Sequence, residues 1–209
     1  MNTHQSAGHD FDLRARTWDD DPMKTARAQA VANAIRTRIP RLNRMSGLEY
    51  GCGTGLLSFA LQPDLQQITL ADNSTGMLDV LCEKIAANKV PNMRPMQLDL
   101  TIDPLPEQRF DIVYSLMTFH HVMDIDAILR KLHSVLNKPG HLCIADLDSE
   151  DGSFHGHTFA GHKGFDRTDL TIRAERAGFG NIEFSTVFSI RKGQPEKTYP
   201  VFLMTAQMA

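Results

Sequence analysis

Between Leu48 and Gly55 the chain reads Leu-Glu-Tyr-Gly-Cys-Gly-Thr-Gly, three glycines at spacing two between an apolar run and an amphipathic one. Glycine adopts backbone angles closed to other residues, so a turn of this composition lets a ligand approach the main chain closely. A helix starting behind it offers unpaired amides and the positive end of its dipole, which suit an anionic group. Two carboxylates narrow the ligand further. Asp72 ends the next apolar run, where an acid binds the two hydroxyls of a ribose or caps the helix that follows. Glu49 stands two residues before the first glycine, where it would repel a pyrophosphate but suit a ligand with a positive amine. A dinucleotide fingerprint GxGxxG would need glycine where this chain has Leu56. The ligand suggested is a nucleoside with an amino-acid tail. Cys52, between two glycines, reads as a small spacer rather than a nucleophile.

Further on, His120 and His121 follow the apolar run Phe110–Leu116, at the carboxyl edge where doubly wound sheets place their ligands. A histidine there can take the proton of an attacking substrate atom, since its ordinary pKa is about 6.5. The competing reading makes one of them a helix cap and the other a packed or solvated ring. His155, His157 and His162 crowd one Gly- and Phe-rich stretch. They lack a cysteine neighbour or an i,i+4 pair, so no metal site is expected, and a polar lid over the substrate fits them better. Phe154, Phe159 and Phe165 in the same stretch offer apolar walls.

Those residues need a scaffold, and the hydrophobic pattern supplies one. From Met23 to about Arg38 a helical period places Met23, Ala26, Ala30, Val31, Ala34 and Ile35 on one stripe. After Gly47, short apolar runs alternate with amphipathic stretches. Strands are expected at Gly47–Tyr50, Ile68–Ala71, Met93–Leu98, Phe110–Leu116 and Leu142–Leu147. Helices are expected at Gly55–Leu61, Thr75–Asn88 and Ile125–Leu136. This rhythm predicts βαβ units and a parallel sheet. A helix over Arg167–Ala177, ended by Gly178, then precedes two strands at Asn181–Ile190 and Tyr199–Ala206, an antiparallel pair at the sheet edge.

Composition bounds the class. The chain has 209 residues, 42% hydrophobic and 22% charged, with formal net charge −3. This is ordinary globular composition, without the global positive field that would advertise nucleic acid. Arg36, Arg38, Arg41 and Arg44 carry no interleaved aromatics and read as cations at a helix C-terminus, so neither nucleic acid nor a membrane is an expected partner. Cys52, Cys82 and Cys143 form no CxxC pair, which points to a reducing compartment. With no leader-like or spanning apolar run, a cytoplasmic protein of one domain is expected, 1–209, with an N-terminal helical cap (1–44) and a cap or loop insertion (151–165).

Taken in order, LEYGCGTG, ADNSTGML, MQLDL, FDIVYSLMTFHHVMD, KPGHLCIADLD and HKGFDRTDLTIRAERAGF resemble the class I S-adenosylmethionine-dependent methyltransferases, within the methyltransferase type 11 or ubiquinone/menaquinone-biosynthesis-like group. The resemblance covers about Gly47 to Gly178. It implies an α/β, Rossmann-like, doubly wound and mostly parallel sheet of seven strands, order 3-2-1-4-5-7-6 with the last strand antiparallel and helices on both faces. It implies S-adenosylmethionine as cofactor and methyl transfer to a small-molecule acceptor. Glu49 and the backbone of Gly51, Cys52 and Gly53 would hold the methionine part, and Asp72 the ribose. Asn73 would pack near the adenine, Asp99 and the backbone of Leu100 would contact it, and Ser115 and Leu116 would line the pocket beside the methyl group. Met77 is expected in the core, and Asp111 is expected to be structural, beneath the glycine loop. The substrate pocket is expected from Trp18, Phe119, Phe154 and His155, with His120 and His121 as candidate catalytic groups. Other readings remain: a noncatalytic S-adenosylmethionine-binding module, or an NAD-dependent oxidoreductase, which Glu49 and Leu56 disfavour.

Overall fold

The computed structural model describes residues 10–156 and 159–208. Seven runs rich in apolar residues become strands: β1 (Ser46–Tyr50), β2 (Gln67–Asp72), β3 (Met93–Gln97), β4 (Phe110–Leu116), β5 (Leu136–Leu147), β6 (Phe179–Lys192) and β7 (Lys197–Met208). They form one sheet of order β3-β2-β1-β4-β5-β7-β6. β3, β2, β1, β4 and β5 pair in parallel, and β7 runs antiparallel to both β5 and β6.

Side chains alternate across the pleat, so each central strand feeds two cores. Tyr114, Cys143 and Ala145 enter a core covered by α1 (Pro22–Arg38), α2 (Leu56–Leu61) and α3 (Thr75–Asn88). Val113, Leu142 and Ile144 enter the other, covered by α4 (Ile125–Ser134) and α5 (Arg167–Arg176). Short polar residues start four of these helices: Asp21, Ser74, Asp124 and Asp166 each accept a hydrogen bond from an amide of the first turn. Among the described residues no helix is long and apolar enough to cross a membrane.

Four local expectations need correction. On α1 the buried residues are Ala28, Val31, Ala32 and Ile35, while Met23 is exposed and Ala26 faces solvent. Alanines lie all around this helix, so the sequence offers little contrast from which to read its buried side. β5 begins at Leu136 rather than Leu142. The apparent Lys138-Pro139-Gly140 break sits where the β4–β5 register shifts, and such irregularities tolerate proline. The edge hairpin is longer than expected, because β6 and β7 pair as far as Lys192 and Lys197. Asp111 is structural but lies at the amino end of the sheet. It accepts from the Ser46 amide and hydroxyl (2.8 and 2.9 Å) and from Asn137 (2.7 Å), tying the starts of β1, β4 and β5 together.

Two members of the basic run, expected only as cations at a helix C-terminus, tie the end of α1 to neighbouring elements. Arg36 pairs with Asp64 (2.7 Å) and also reaches the Ala60 carbonyl, while Arg38 donates to the Ser185 hydroxyl.

Candidate active site at the carboxyl edge of the sheet

β1 ends in Glu49 and Tyr50, and the chain then turns sharply through Gly51 (φ 70°), Gly53 (φ 52°) and Gly55 (φ 80°). Any side chain at Gly51 would lie 2.2 Å from a Thr118 methyl carbon, so the turn can pack there only as glycine. Glu49 is buried and accepts from the Ser58 amide (3.1 Å), and Ser58 in turn shares a 2.7 Å hydrogen bond with the buried Tyr114 hydroxyl. This Glu49–Ser58–Tyr114 chain is what underlies the glycine turn. Burial raises the Glu49 carboxyl to about 8, against the pull of the hydrogen bonds from Ser58. A cationic ligand group bound beside it would favour the ionised carboxylate and draw its pKa back down.

Asp72 closes β2 across from the turn. Its oxygens accept from the Gly53 amide (2.6 Å) and the Ser74 amide (2.9 Å). Burial raises its carboxyl, opposed by these same amide bonds. Asn73 donates to Asp99 (3.2 Å), and Asp99 also accepts from the Thr101 amide and hydroxyl. Leu100 is fully buried, and its carbonyl accepts from Lys131. Ser115 is buried with its hydroxyl on the Tyr50 carbonyl (2.8 Å), so it braces β1 against β4 beside the half-buried Leu116. Cys52 is buried, and its thiol is pushed well up by burial and by Asp72 and Glu49. Met77 is buried, as expected.

The N-terminal segment reaches this half of the crevice. Asp12 accepts from the Ser74 hydroxyl and the Gly76 amide (2.9 Å), at the start of α3. Asp19 accepts from Thr54, in the glycine turn, and pairs with Lys84 (2.6 Å), which also reaches the Thr54 carbonyl. Trp18 therefore belongs here: its indole nitrogen lies 3.9 Å from the position of a β-carbon on Gly53, and Lys24 covers its ring at 3.6 Å.

The other half lies beyond β4. Met117 takes a left-handed backbone (φ 56°), Thr118 donates to the Gly51 carbonyl (3.1 Å), and Phe119–His121 form a short 3-10 turn. Phe119, expected in the pocket, is fully buried and packs edge-on against Tyr50, so it is core. His120 is also buried, and its Nδ1 sits 2.7 Å from Asp146 at the end of β5. Asp146 accepts from the amides of His120 (3.2 Å) and Leu147 (2.8 Å) as well. Burial alone would raise Asp146, but His120 and these amides hold it below the usual carboxylate range.

Around His120 stand His121 and His155, with ring centroids at 4.2 and 4.9 Å, and one nitrogen from each of the three rings falls within 4.8 Å of the others. Burial and the neighbouring imidazoles lower His121 to about 3 and His155 to about 4. Both rings are therefore neutral at ordinary pH, and neither titrates near 6.5. Phe11 packs edge-on to His121 (5.3 Å), Phe159 stacks on His155 (4.1 Å), and Phe154 turns its buried ring against His155 (4.7 Å). His162 stays apart from these nitrogens, holding the Val122 carbonyl instead (2.9 Å), and His157 lies outside the described residues.

Sequence reasoning missed Asp146, Ser58, Tyr114, Asp19, Thr118 and Arg27. Asp146 had a signal, since it ends a strand on the same edge as His120. Arg27, on α1, had none. Its Nε is buried without a hydrogen-bond partner, and Asp146 and Asp21 supply the opposite charge nearby.

Residues 48–140 match the model of a methyltransferase domain. An uncharacterized methyltransferase of Schizosaccharomyces pombe is 32% identical over 155 residues, 66% of this chain and 55% of that protein. A ubiquinone biosynthesis O-methyltransferase of Bradyrhizobium sp. (strain ORS 278) is 32% identical over 163 residues, 69% of this chain and 62% of that one. Over residues 48–140 the chain carries a methyltransferase domain, set in the sheet order of the class I S-adenosylmethionine-dependent methyltransferase fold. It spans roughly half to three fifths of the length of these two curated relatives. A solved DhpI–SAH complex shares the fold across 99% of this chain and 98% of its own, with a TM-score of 0.74 at 21% identity.

The family's cofactor is S-adenosylmethionine, and the charges at this edge of the sheet suit it. The cofactor's amine and sulfonium are positive, and the β1–β2 half would meet them with the buried Glu49 carboxyl and with Asp72 beside the glycine turn.

Proposed function

We propose that the protein methylates a small organic acceptor bound between the glycine turn and the histidine cluster. The observation that carries this reading is the pairing of an acid-lined half with a buried His120–Asp146 pair across one sheet edge. When bound, S-adenosylmethionine supplies an electrophilic methyl carbon on a good leaving group, the sulfonium sulfur. Glu49 and the Gly51–Gly53 backbone hold the methionine end, Asp72 the ribose, and Asn73 and Asp99 the adenine. Ser115 and Leu116 back the methyl-bearing region.

His120 meets the acceptor. Asp146 holds its Nδ1, which leaves the Nε2 lone pair to take the proton of the acceptor's attacking atom. His121 and Phe11 wall that side, and with His155 they exclude water and align the acceptor. Alignment of this kind supplies up to roughly 7–11 kcal/mol in the most favourable intramolecular models. Arg14 and Lys192 act electrostatically on His155, and Arg27 lies near Asp146. These cations favour an acceptor with an acidic or anionic head. The name of the Bradyrhizobium relative supports an oxygen acceptor.

Calorimetry with S-adenosylhomocysteine and with NAD, followed by an acceptor panel read for S-adenosylhomocysteine formation, tests the proposal. Binding of S-adenosylhomocysteine and its formation with at least one acidic small molecule are expected. Binding without product across the panel would favour a noncatalytic module, and preferential NAD binding would favour an oxidoreductase.

A further inference from the structure

Resting on the methyltransferase reading, but with His120 reassigned from base to ligand, we infer that His120, His121 and His155 form a binding site for one first-row divalent metal ion, with Zn²⁺ the best match, and that the acceptor's reacting atom takes the open fourth position. Three imidazoles from two separate segments, 120–121 and 155, offer one nitrogen each within 4.8 Å of the others. Bonds of about 2.0–2.1 Å in a tetrahedral set require nitrogens about 3.4 Å apart. Closing that gap takes a shift of His155, the exposed member of the three.

The buried carboxylate behind the cluster is the independent observation. Asp146 receives Nδ1 of His120 at 2.7 Å and is itself fixed by two backbone amides. A carboxylate that orients a ring through one nitrogen, leaving the other to bind, is the usual support of a metal-binding histidine. Three nitrogen ligands with one place left open is the arrangement of catalytic rather than structural zinc.

The surrounding charges shape the affinity. Asp146 acts on His155 against Lys192 and Arg14, so an anionic fourth ligand would offset the positive surroundings of the site. In this arrangement His120 Nε2 is a ligand, and the acceptor loses its proton to solvent instead.

The test uses untagged protein titrated with ZnCl₂ by calorimetry and with CoCl₂ by visible absorption. One equivalent of either metal and the absorption of tetrahedral Co²⁺ are expected. His155→Ala should weaken binding at least tenfold, and Asp146→Asn by 10–100-fold. His133→Ala, remote from the cluster, should change nothing. S-adenosylhomocysteine binding, measured alongside, should survive in His155→Ala. Absence of stoichiometric metal binding, or binding that persists in both His121→Ala and His155→Ala, overturns the metal site. If S-adenosylhomocysteine binds while metal does not, methyl transfer with His120 as base still stands. If S-adenosylhomocysteine does not bind, the methyltransferase reading itself falls, whatever the metal does.

Discussion

On the β1–β2 side of the crevice the polar groups are carboxyls: Glu49, Asp72 and Asp99, joined from the N-terminal segment by Asp12 and Asp19. On the β4–β5 side they are imidazoles and cations, with Asp146 as the acid paired with His120. One side suits a positively charged cofactor and the other a negatively charged or ionisable acceptor. The two halves also differ in construction. The acidic half comes from the ends of β1, β2 and β3 with the N-terminal segment added, whereas the histidine half is assembled from the turn after β4, the end of β5 and the lid. Thr118 joins them through its hydrogen bond to the Gly51 carbonyl.

That contrast can be broken by experiment, starting with the largest expected effect. His120→Gln should lower turnover by about 10²–10⁴ once an acceptor is known, with S-adenosylhomocysteine affinity almost unchanged. A parallel fall in cofactor affinity would mean the halves are not separable.

Glu49→Gln should act in the opposite sense on stability and on binding. The folded carboxyl titrates at about 8 against an ordinary 4.5, so the native state holds a proton that the unfolded chain has lost between those values. The contribution of Glu49 to stability is thus full below about pH 4.5, falls as pH rises and is lost above 8. Removing the charge should raise stability at pH 8 by on the order of 2–4 kcal/mol. It should also weaken S-adenosylhomocysteine binding. Urea melts at pH 5 and pH 8 would read the first effect, and a gain that is equal at both would refute the burial argument.

Asp72→Ala should weaken S-adenosylhomocysteine by about 1.5–3 kcal/mol, the scale of hydrogen bonds to a charged group. Because its oxygens also satisfy the Gly53 and Ser74 amides, the same change should lower thermal stability measurably. Smallest is Asp19→Ala, whose partly exposed pair with Lys84 is worth at most about 1 kcal/mol in a thermal melt. A larger loss would make the N-terminal segment part of the core.

Legibility in the sequence followed the same division. Glu49, the glycines and Asp72 sit within one strand–turn–helix unit and the next strand end, so their spacing alone outlines a site, and apolar runs at period two revealed the sheet. His120 was visible as half of a pair, but its partner Asp146 is 26 residues away, and only the parallel β4–β5 pairing brings them together. Phe119 and Trp18 were placed on the acceptor side because aromatics in a loop advertise a pocket. Burial of one against Tyr50 and capture of the other at the glycine turn are tertiary outcomes without a local signature. Arg27 was hidden for another reason, since a cation on an alanine-rich helix ordinarily faces water.

Asp12 and Asp19 fasten one short stretch of chain at two points, the first turn of α3 and the glycine turn. Where S-adenosylmethionine has to pass beneath this stretch, both fastenings must first let go. Turnover then has a clock that is independent of the methyl transfer, set by how often the stretch lifts. Salt, by weakening the Asp19–Lys84 attraction, should shorten the residence time of S-adenosylhomocysteine more than it alters the chemistry.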